Sequence, residues 1–142
     1  MNIEKNSRPY KNLFNGSDQF YLADPTKITI KKNGGKRWGV QKEFSLVLEY
    51  CLDGHLDGTL NKGVVLPPIR KSDNKCIWGA IDVDGEVYNN EEIKIELLQK
   101  VVKLKLPLLP CHSKSKGLHF YIFVNDWTDA KTVRDILLTF LH

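Results

Sequence analysis

The sequence predicts an α/β (α+β) fold, and three observations carry that prediction. Residues 76–84 form a strand-like run, Cys-Ile-Trp-Gly-Ala-Ile-Asp-Val-Asp, and residues 118–124 form a second one, Leu-His-Phe-Tyr-Ile-Phe-Val. Each is followed by a segment whose apolar residues recur at helical spacing. Between them lies a proline-flanked extended stretch. The order strand, helix, edge segment, strand, helix is a split β-α-β unit that lacks its last strand.

The 142 residues suit one domain, with a basic, turn-rich segment over 1–43 and a core over 44–142. A hydrophobic share of 42% and a charged share of 27% are those of an ordinary globular protein. No apolar run is long enough to span a membrane, and Met-Asn-Ile-Glu-Lys has no signal-peptide core, so a cytoplasmic, intracellular protein without a membrane partner is expected. Three widely spaced cysteines without a Cys-x-x-Cys pair argue against zinc and against a disulfide framework. Each has apolar neighbours and is predicted to be a buried thiol. The net charge of +4 is unevenly spread: residues 1–75 carry +5 and residues 76–142 carry −1. The basic half suits a polyanionic partner.

Taken in order, the first 25 residues are punctuated by Arg8-Pro9, Asn15-Gly16 and Asp24-Pro25, which read as turns. Lys27 to Lys32 alternates like a strand, and Asn33-Gly34-Gly35 reads as a hairpin turn. Lys27, Lys31, Lys32, Lys36 and Arg37 place five cations in eleven residues, with Trp38 next. Such a ribbon can grip a nucleic-acid backbone, or be a solvated edge strand that lysines protect from aggregation. Phe44, Val47, Leu48, Cys51 and Leu52 predict an amphipathic helix over 42–52, ended by the glycine turns of Asp53 to Gly58. His55 in that stretch reads as a solvated loop residue. Gly63 to Leu66 is a short strand stopped by Pro67-Pro68.

After the central strand, Asn89 or Asn90 caps a helix whose Ile93, Leu97, Leu98, Val101 and Val102 line one face. Leu106 to Leu109, between Pro107 and Pro110, is edge-like. On the strand from Leu118, His119, Tyr121 and Phe123 share the face opposite Leu118, Phe120, Ile122 and Val124. Thr128 is the predicted cap of a last helix striped by Val133, Ile136, Leu137, Phe140 and Leu141.

Two constellations carry chemistry. Asp82 and Asp84, two apart on a strand, point the same way and repel unless a cation or strong donors lie between them. Hard cations such as Mg²⁺ take carboxylate oxygens and keep positions for substrate phosphates; the plainer reading is a solvated turn at Gly85. The loop His112-Ser113-Lys114-Ser115-Lys116-Gly117-Leu118-His119 offers hydroxyls, backbone N–H groups and ammonium charges to a phosphate, or is a flexible solvated turn. If helices cover one sheet face, the other carries Asp82, Asp84, His119 and Tyr121 together.

These residues resemble a family. Ile81-Asp82-Val83-Asp84 looks like the first motif of the archaeo-eukaryotic primase superfamily, a hydrophobic residue followed by Asp-x-Asp. Ser113 to Ile122 is similar to its second motif, which in polymerase domains of bacterial end-joining ligases reads Ser-Gly-Gly-Lys-Gly-x-His before a hydrophobic strand. His55-Leu56-Asp57-Gly58 and Lys62 to Pro67 resemble the segment upstream of the first motif in primases of TOTE conflict systems. The resemblance spans roughly residues 44–137. It implies an RRM-like mixed sheet with helices on one face, an N-terminal αβ module, and a DNA primase-polymerase activity. It further implies that Asp82 and Asp84 are catalytic and hold two Mg²⁺ or Mn²⁺ ions. Ser113, Lys116 and His119 would bind a nucleoside triphosphate, with Lys114, Ser115 and Gly117 in the same loop. DNA template and primer would be partners, as would the rest of a longer polypeptide (a helicase, a nuclease or further primase core). Lys114 and Ser115 stand where the family has glycines. The third motif, an aspartate on a later strand, has no match: Asp126, Asp129 and Asp135 fall in the predicted loop and last helix. A non-catalytic nucleotide- and nucleic-acid-binding module is the alternative.

Overall fold

The structure, a computed structural model, describes residues 4–30, 36–42, 46–83, 85, 90–113 and 117–141. Four helices and two three-stranded antiparallel sheets make a mixed α+β architecture among these residues. The chain divides into two compact units, Met1–Asp73 and Asn74–His142.

The first unit holds α1 (Glu4–Leu13), β1 (Tyr21–Ile30), β2 (Lys36–Lys42), α2 (Leu48–Leu56) and β3 (Gly63–Val65), with sheet order β2-β1-β3. Phe20, Leu22 and Cys51 form its core, packed by Leu48, Leu60, Val64 and Leu66. Three expectations are corrected in this unit. The first is Arg8-Pro9, which lies inside α1, not at a turn. Proline forgoes one backbone bond there, and what holds the helix comes after it: the Tyr10 and Phe14 rings are 4.6 Å apart and Lys11 pairs with Glu49. Asp24-Pro25 is likewise no turn. The β1–β2 register shifts between Asp24 and Ile28, so the dipeptide forms a bulge within one long strand, a position where proline is tolerated. The Asp24 carboxylate accepts from the Thr26 N–H at 2.9 Å and its hydroxyl at 2.6 Å, which fixes the bulge.

The third correction is the helix expected over 42–52, which is found at Leu48–Leu56. β2 runs through Lys42 and Val47 is extended, so the apolar stripe begins later than its spacing suggests. Only the second glycine ends α2: Gly58 has φ +81°, the left-handed conformation that closes many helices. His55, expected to be merely solvated, is exposed yet bonded, its Nδ1 lying 3.1 Å from the Lys62 carbonyl. The Asn33-Gly34-Gly35 turn lies outside the described residues.

The second unit holds β4 (Lys75–Val83), α3 (Glu91–Lys103), β5 (Leu109–His112), β6 (Leu118–Asp129) and α4 (Ala130–Thr139), with sheet order β4-β6-β5. Where a mixed sheet is expected, the described pairings are all antiparallel, because β6 returns beside β5 and then along β4. Leu118 and Phe120 pack against Ile93, Leu97, Leu98 and Val101 of α3. Cys76 and Ile122 pack against Val133 and Leu137 of α4. Both helices therefore cover the face that carries Leu118, Phe120 and Ile122, as period-two alternation predicts.

Several details differ from expectation. Val102 is 76% exposed and leaves the α3 stripe, while Lys94 is buried and paired with Glu91 at 2.7 Å. Asn90 caps α3 by accepting from the Ile93 N–H. Asp129, not Thr128, caps α4: its carboxylate accepts from the Lys131 N–H at 2.9 Å and the Thr132 N–H at 3.4 Å. β6 outlasts its apolar alternation because its far end, Thr128 and Asp129, still pairs with Cys76 and Lys75. Cys51 and Cys76 are buried, but Cys111 is exposed because it stands on the edge strand β5.

Candidate active site

The β4–β6 register sets Asp82 directly opposite His119, and the β5–β6 register sets Cys111 opposite His119 on its other side. Directly opposed residues of an antiparallel pair point to the same face, so Asp82, His119 and Cys111 form a row across three strands on the helix-free face. The Asp82 Oδ1 lies 3.1 Å from the His119 Nε2, and the His119 Nδ1 lies 3.2 Å from the Tyr121 hydroxyl. One neutral imidazole tautomer satisfies both contacts: Nε2–H donates to Asp82, and Nδ1 accepts from the tyrosine O–H. The Asp82 side chain is 62% exposed and that of His119 33%, so the pair is open to a ligand.

Behind the row, aromatic rings continue along the same face. Tyr121 meets the edge of His119 at 6.0 Å, stacks on Phe123 at 6.3 Å, and lies 6.1 Å from Trp78. The alternation His119, Tyr121, Phe123 places these rings on one face, but the sequence alone gives no sign that the Tyr121 hydroxyl orients His119.

The β5–β6 connection closes just above this row. The Ser113 N–H donates to the Gly117 carbonyl at 3.0 Å, and the Gly117 N–H donates to the Ser113 hydroxyl at 2.9 Å. This clasp brings the two ends of the predicted phosphate loop together, and the Ser113 O–H keeps its own proton to donate. Lys114, Ser115 and Lys116 lie outside the described residues, as does Asp84. Gly85 has φ +78°, consistent with the sharp turn expected after β4.

The basic ribbon belongs to the first unit. Lys27 stands in the β1 bulge, Lys36 and Arg37 lie at the start of β2 opposite Ile30 and Thr29, and Trp38 pairs with Ile28. Lys31 and Lys32 lie outside the described residues. Asp126 and Asp129, expected off any strand, are both in β6. They do not approach Asp82: Asp126 is seven residues beyond His119 along the strand, roughly 23 Å at about 3.3 Å per residue.

Among the described residues no three His, Cys, Asp or Glu side chains cluster into a cation cage. The donors that are present suit a hard divalent ion held from one side. The exposed Asp82 carboxylate offers a single hard oxygen ligand and leaves room for waters and phosphate oxygens, as Mg²⁺ sites do, whereas an imidazole suits softer metals.

A family model described as the archaeo-eukaryotic primase domain of the TOTE conflict system matches residues 10–142. The chain belongs to that family. No curated protein matches it. At the level of the family, an archaeo-eukaryotic primase domain performs primase-like nucleotidyl transfer, depends on divalent metal, and binds nucleotide and DNA. No described helix of this primase domain is long and apolar enough to cross a membrane.

Proposed function

We propose that this primase domain catalyses template-directed transfer of nucleotides from nucleoside triphosphates to a DNA primer, with its chemistry at the Asp82–His119 end of the second sheet. The observation that carries the reading is the coincidence of three features at one sheet end: the exposed carboxylate of Asp82, the imidazole bonded to it, and the Ser113–Gly117 clasp.

Asp82, with Asp84 two residues on, would hold the divalent ions. Bound there, Mg²⁺ or Mn²⁺ supplies Lewis-acid stabilisation of the charge that develops on the attacked and leaving oxygens. The chain's own residues bind and orient. The clasp closes the loop whose Ser113 hydroxyl, Lys116 ammonium and backbone N–H groups would grip the triphosphate, with Lys114, Ser115 and Gly117 beside them. His119 would bind the nucleotide from a ring orientation set by Tyr121. Lys27, Lys31, Lys32, Lys36, Arg37 and Trp38 would meet the nucleic-acid strand.

A module that binds nucleotide and nucleic acid without chemistry is the second reading. One observation favours it: the later acids Asp126 and Asp129 stand at the opposite end of β6, where they offer no third carboxylate to the site. One pair of measurements separates the two. Incorporation of labelled nucleotide into a primed template, abolished by Asp82→Ala, establishes the polymerase; triphosphate binding without incorporation establishes the binding module. Triphosphate and Mn²⁺ affinities unchanged by Asp82→Ala and Lys116→Ala overturn both.

A further inference from the structure

The first unit contains a cavity of about 460 Å³ at the β1 bulge. It lies within the size range of ligand pockets, and polar and apolar groups share its walls: Asp24, Lys27, Gln41 and Lys62 stand beside Leu22, Gly39 and Val40. Its two cations come from different elements and are placed by different devices. Lys27 sits in the bulge, directly over Gly39; a Cβ at residue 39 would lie 2.9 Å from the Lys27 Cβ and 3.2 Å from its carbonyl oxygen, so the close crossing requires glycine. Lys62 precedes β3, and its backbone is held on both sides. Its N–H donates to the Leu60 carbonyl at 2.8 Å, and its own carbonyl is bonded by His55 from the last turn of α2.

Among the described residues the cavity has one carboxylate, that of Asp24, and one of its oxygens already accepts two bonds from Thr26. The Thr26 hydroxyl and N–H, with Lys62 and Lys27 behind them, hold the Asp24 carboxyl below its ordinary 3.8, so it is charged at neutral pH. Two ammonium groups then face one carboxylate, and the cavity keeps a net positive charge. The Gln41 amide adds neutral donors. A phosphoryl group supplies the missing negative charge and the acceptor oxygens these donors lack.

We propose that this cavity is a phosphodiester-binding subsite that takes the backbone of a single-stranded nucleic acid, with Lys27 and Lys62 as its cations and Gly39 as the residue that keeps it open. The proposal deepens the function proposed above and rests on it only for the choice of a nucleic-acid strand over a free nucleotide. Lys62 and Gln41 lie outside the basic ribbon read from the sequence, and fold geometry brings them to Lys27.

The test uses the full chain, a fluorescently labelled oligothymidylate and excess chelator, without triphosphate, so the outcome does not depend on metal or on catalysis. Lys27→Ala and Lys62→Ala should each weaken binding about tenfold at low salt. Each should also flatten the plot of log affinity against log salt by about 0.7, the value for one phosphate left without its cation on a single strand. Asp24→Asn keeps the acceptor for Thr26 but removes the opposing charge, so it should tighten binding several-fold. Lys103→Ala, an exposed lysine of α3 in the other unit, should change neither quantity. Equal losses from Lys103→Ala, or no loss from Lys62→Ala, overturn the proposal. So does binding of thymidine monophosphate that is as tight as the strand and equally sensitive to Lys62, which would make the site one for free nucleotides. Failure of the polymerase reading appears elsewhere, in metal and triphosphate binding that ignores Asp82.

Discussion

Asp82 is exposed and bonded to a histidine that has a second partner, so its removal tests ligand binding with little effect on folding. Exposed side-chain contacts of this kind, ion pair or hydrogen bond, contribute about 0–1 kcal/mol. Asp82→Ala should therefore leave the melting temperature nearly unchanged while lowering Mn²⁺ affinity about tenfold, a loss of about 1.4 kcal/mol; titration calorimetry beside a thermal melt checks both. Unchanged metal affinity rejects Asp82 as a ligand. Tyr121 acts one step further back. Tyr121→Phe keeps the ring stacked on Phe123 and deletes only the hydroxyl at His119 Nδ1, so triphosphate binding should weaken by about 0.5–1.5 kcal/mol, the net value of one such bond. A variant whose triphosphate binding equals the parent's shows that His119 needs no orienting partner. The row Asp82–His119 is legible in the sequence because strand alternation, once helices cover one sheet face, puts both on the other. Lys94 is not legible. Helical periodicity assigns a lysine to solvent, and only packing shows this one buried with its ammonium on Glu91.

Elements are legible where a repeating pattern marks them, and less so at their ends. β4, α3 and α4 lie close to where their apolar periods place them. α2 begins late because Val47 is apolar but extended, and apolarity alone does not distinguish the last residue before a helix from the first inside it. β6 runs on to Asp129 because pairing with β4 continues beyond the alternating residues. The same lengthening moves the α4 cap by one residue. Asp129→Ala should then cost about 1 kcal/mol in urea unfolding, the usual value of an N-cap, whereas Thr128→Ala should cost a few tenths at most. The reverse order would return the cap to Thr128.

Among the described residues, five carboxyls lie below their ordinary values for two different reasons. Asp24 and Asp57 are held down first by the hydroxyls of Thr26 and Thr59 and then by their N–H groups. Glu49, Glu91 and Asp135 are held down first by Lys11, Lys94 and Lys131. A depressed carboxyl binds its proton less readily when folded, so it contributes stability above its unfolded value, 3.8 or 4.5 here, that is lost as pH falls through the lower folded value. The thiol of Cys76 is pushed above 9.0 by burial and works in the opposite direction: unfolding releases its proton, so stability falls as pH rises past 9.0. Stability should be level from about pH 5 to 8 and fall on either side. At about 1 M salt the lysine-dependent share of the acid limb should shrink, because exposed pairs are screened, while the threonine-dependent share remains. Urea unfolding across that range at two salt concentrations reads both; an acid limb that vanishes altogether in high salt excludes the threonine contribution. Pro110, in the short edge strand β5, has one more consequence. Proline has no N–H to offer, so that short flank is the poorer template for a visiting strand, and among the described residues the nine-residue β4 is the longer ladder at the sheet's other border. A visiting strand would therefore find its longer template along β4, so association by this route should begin at that border.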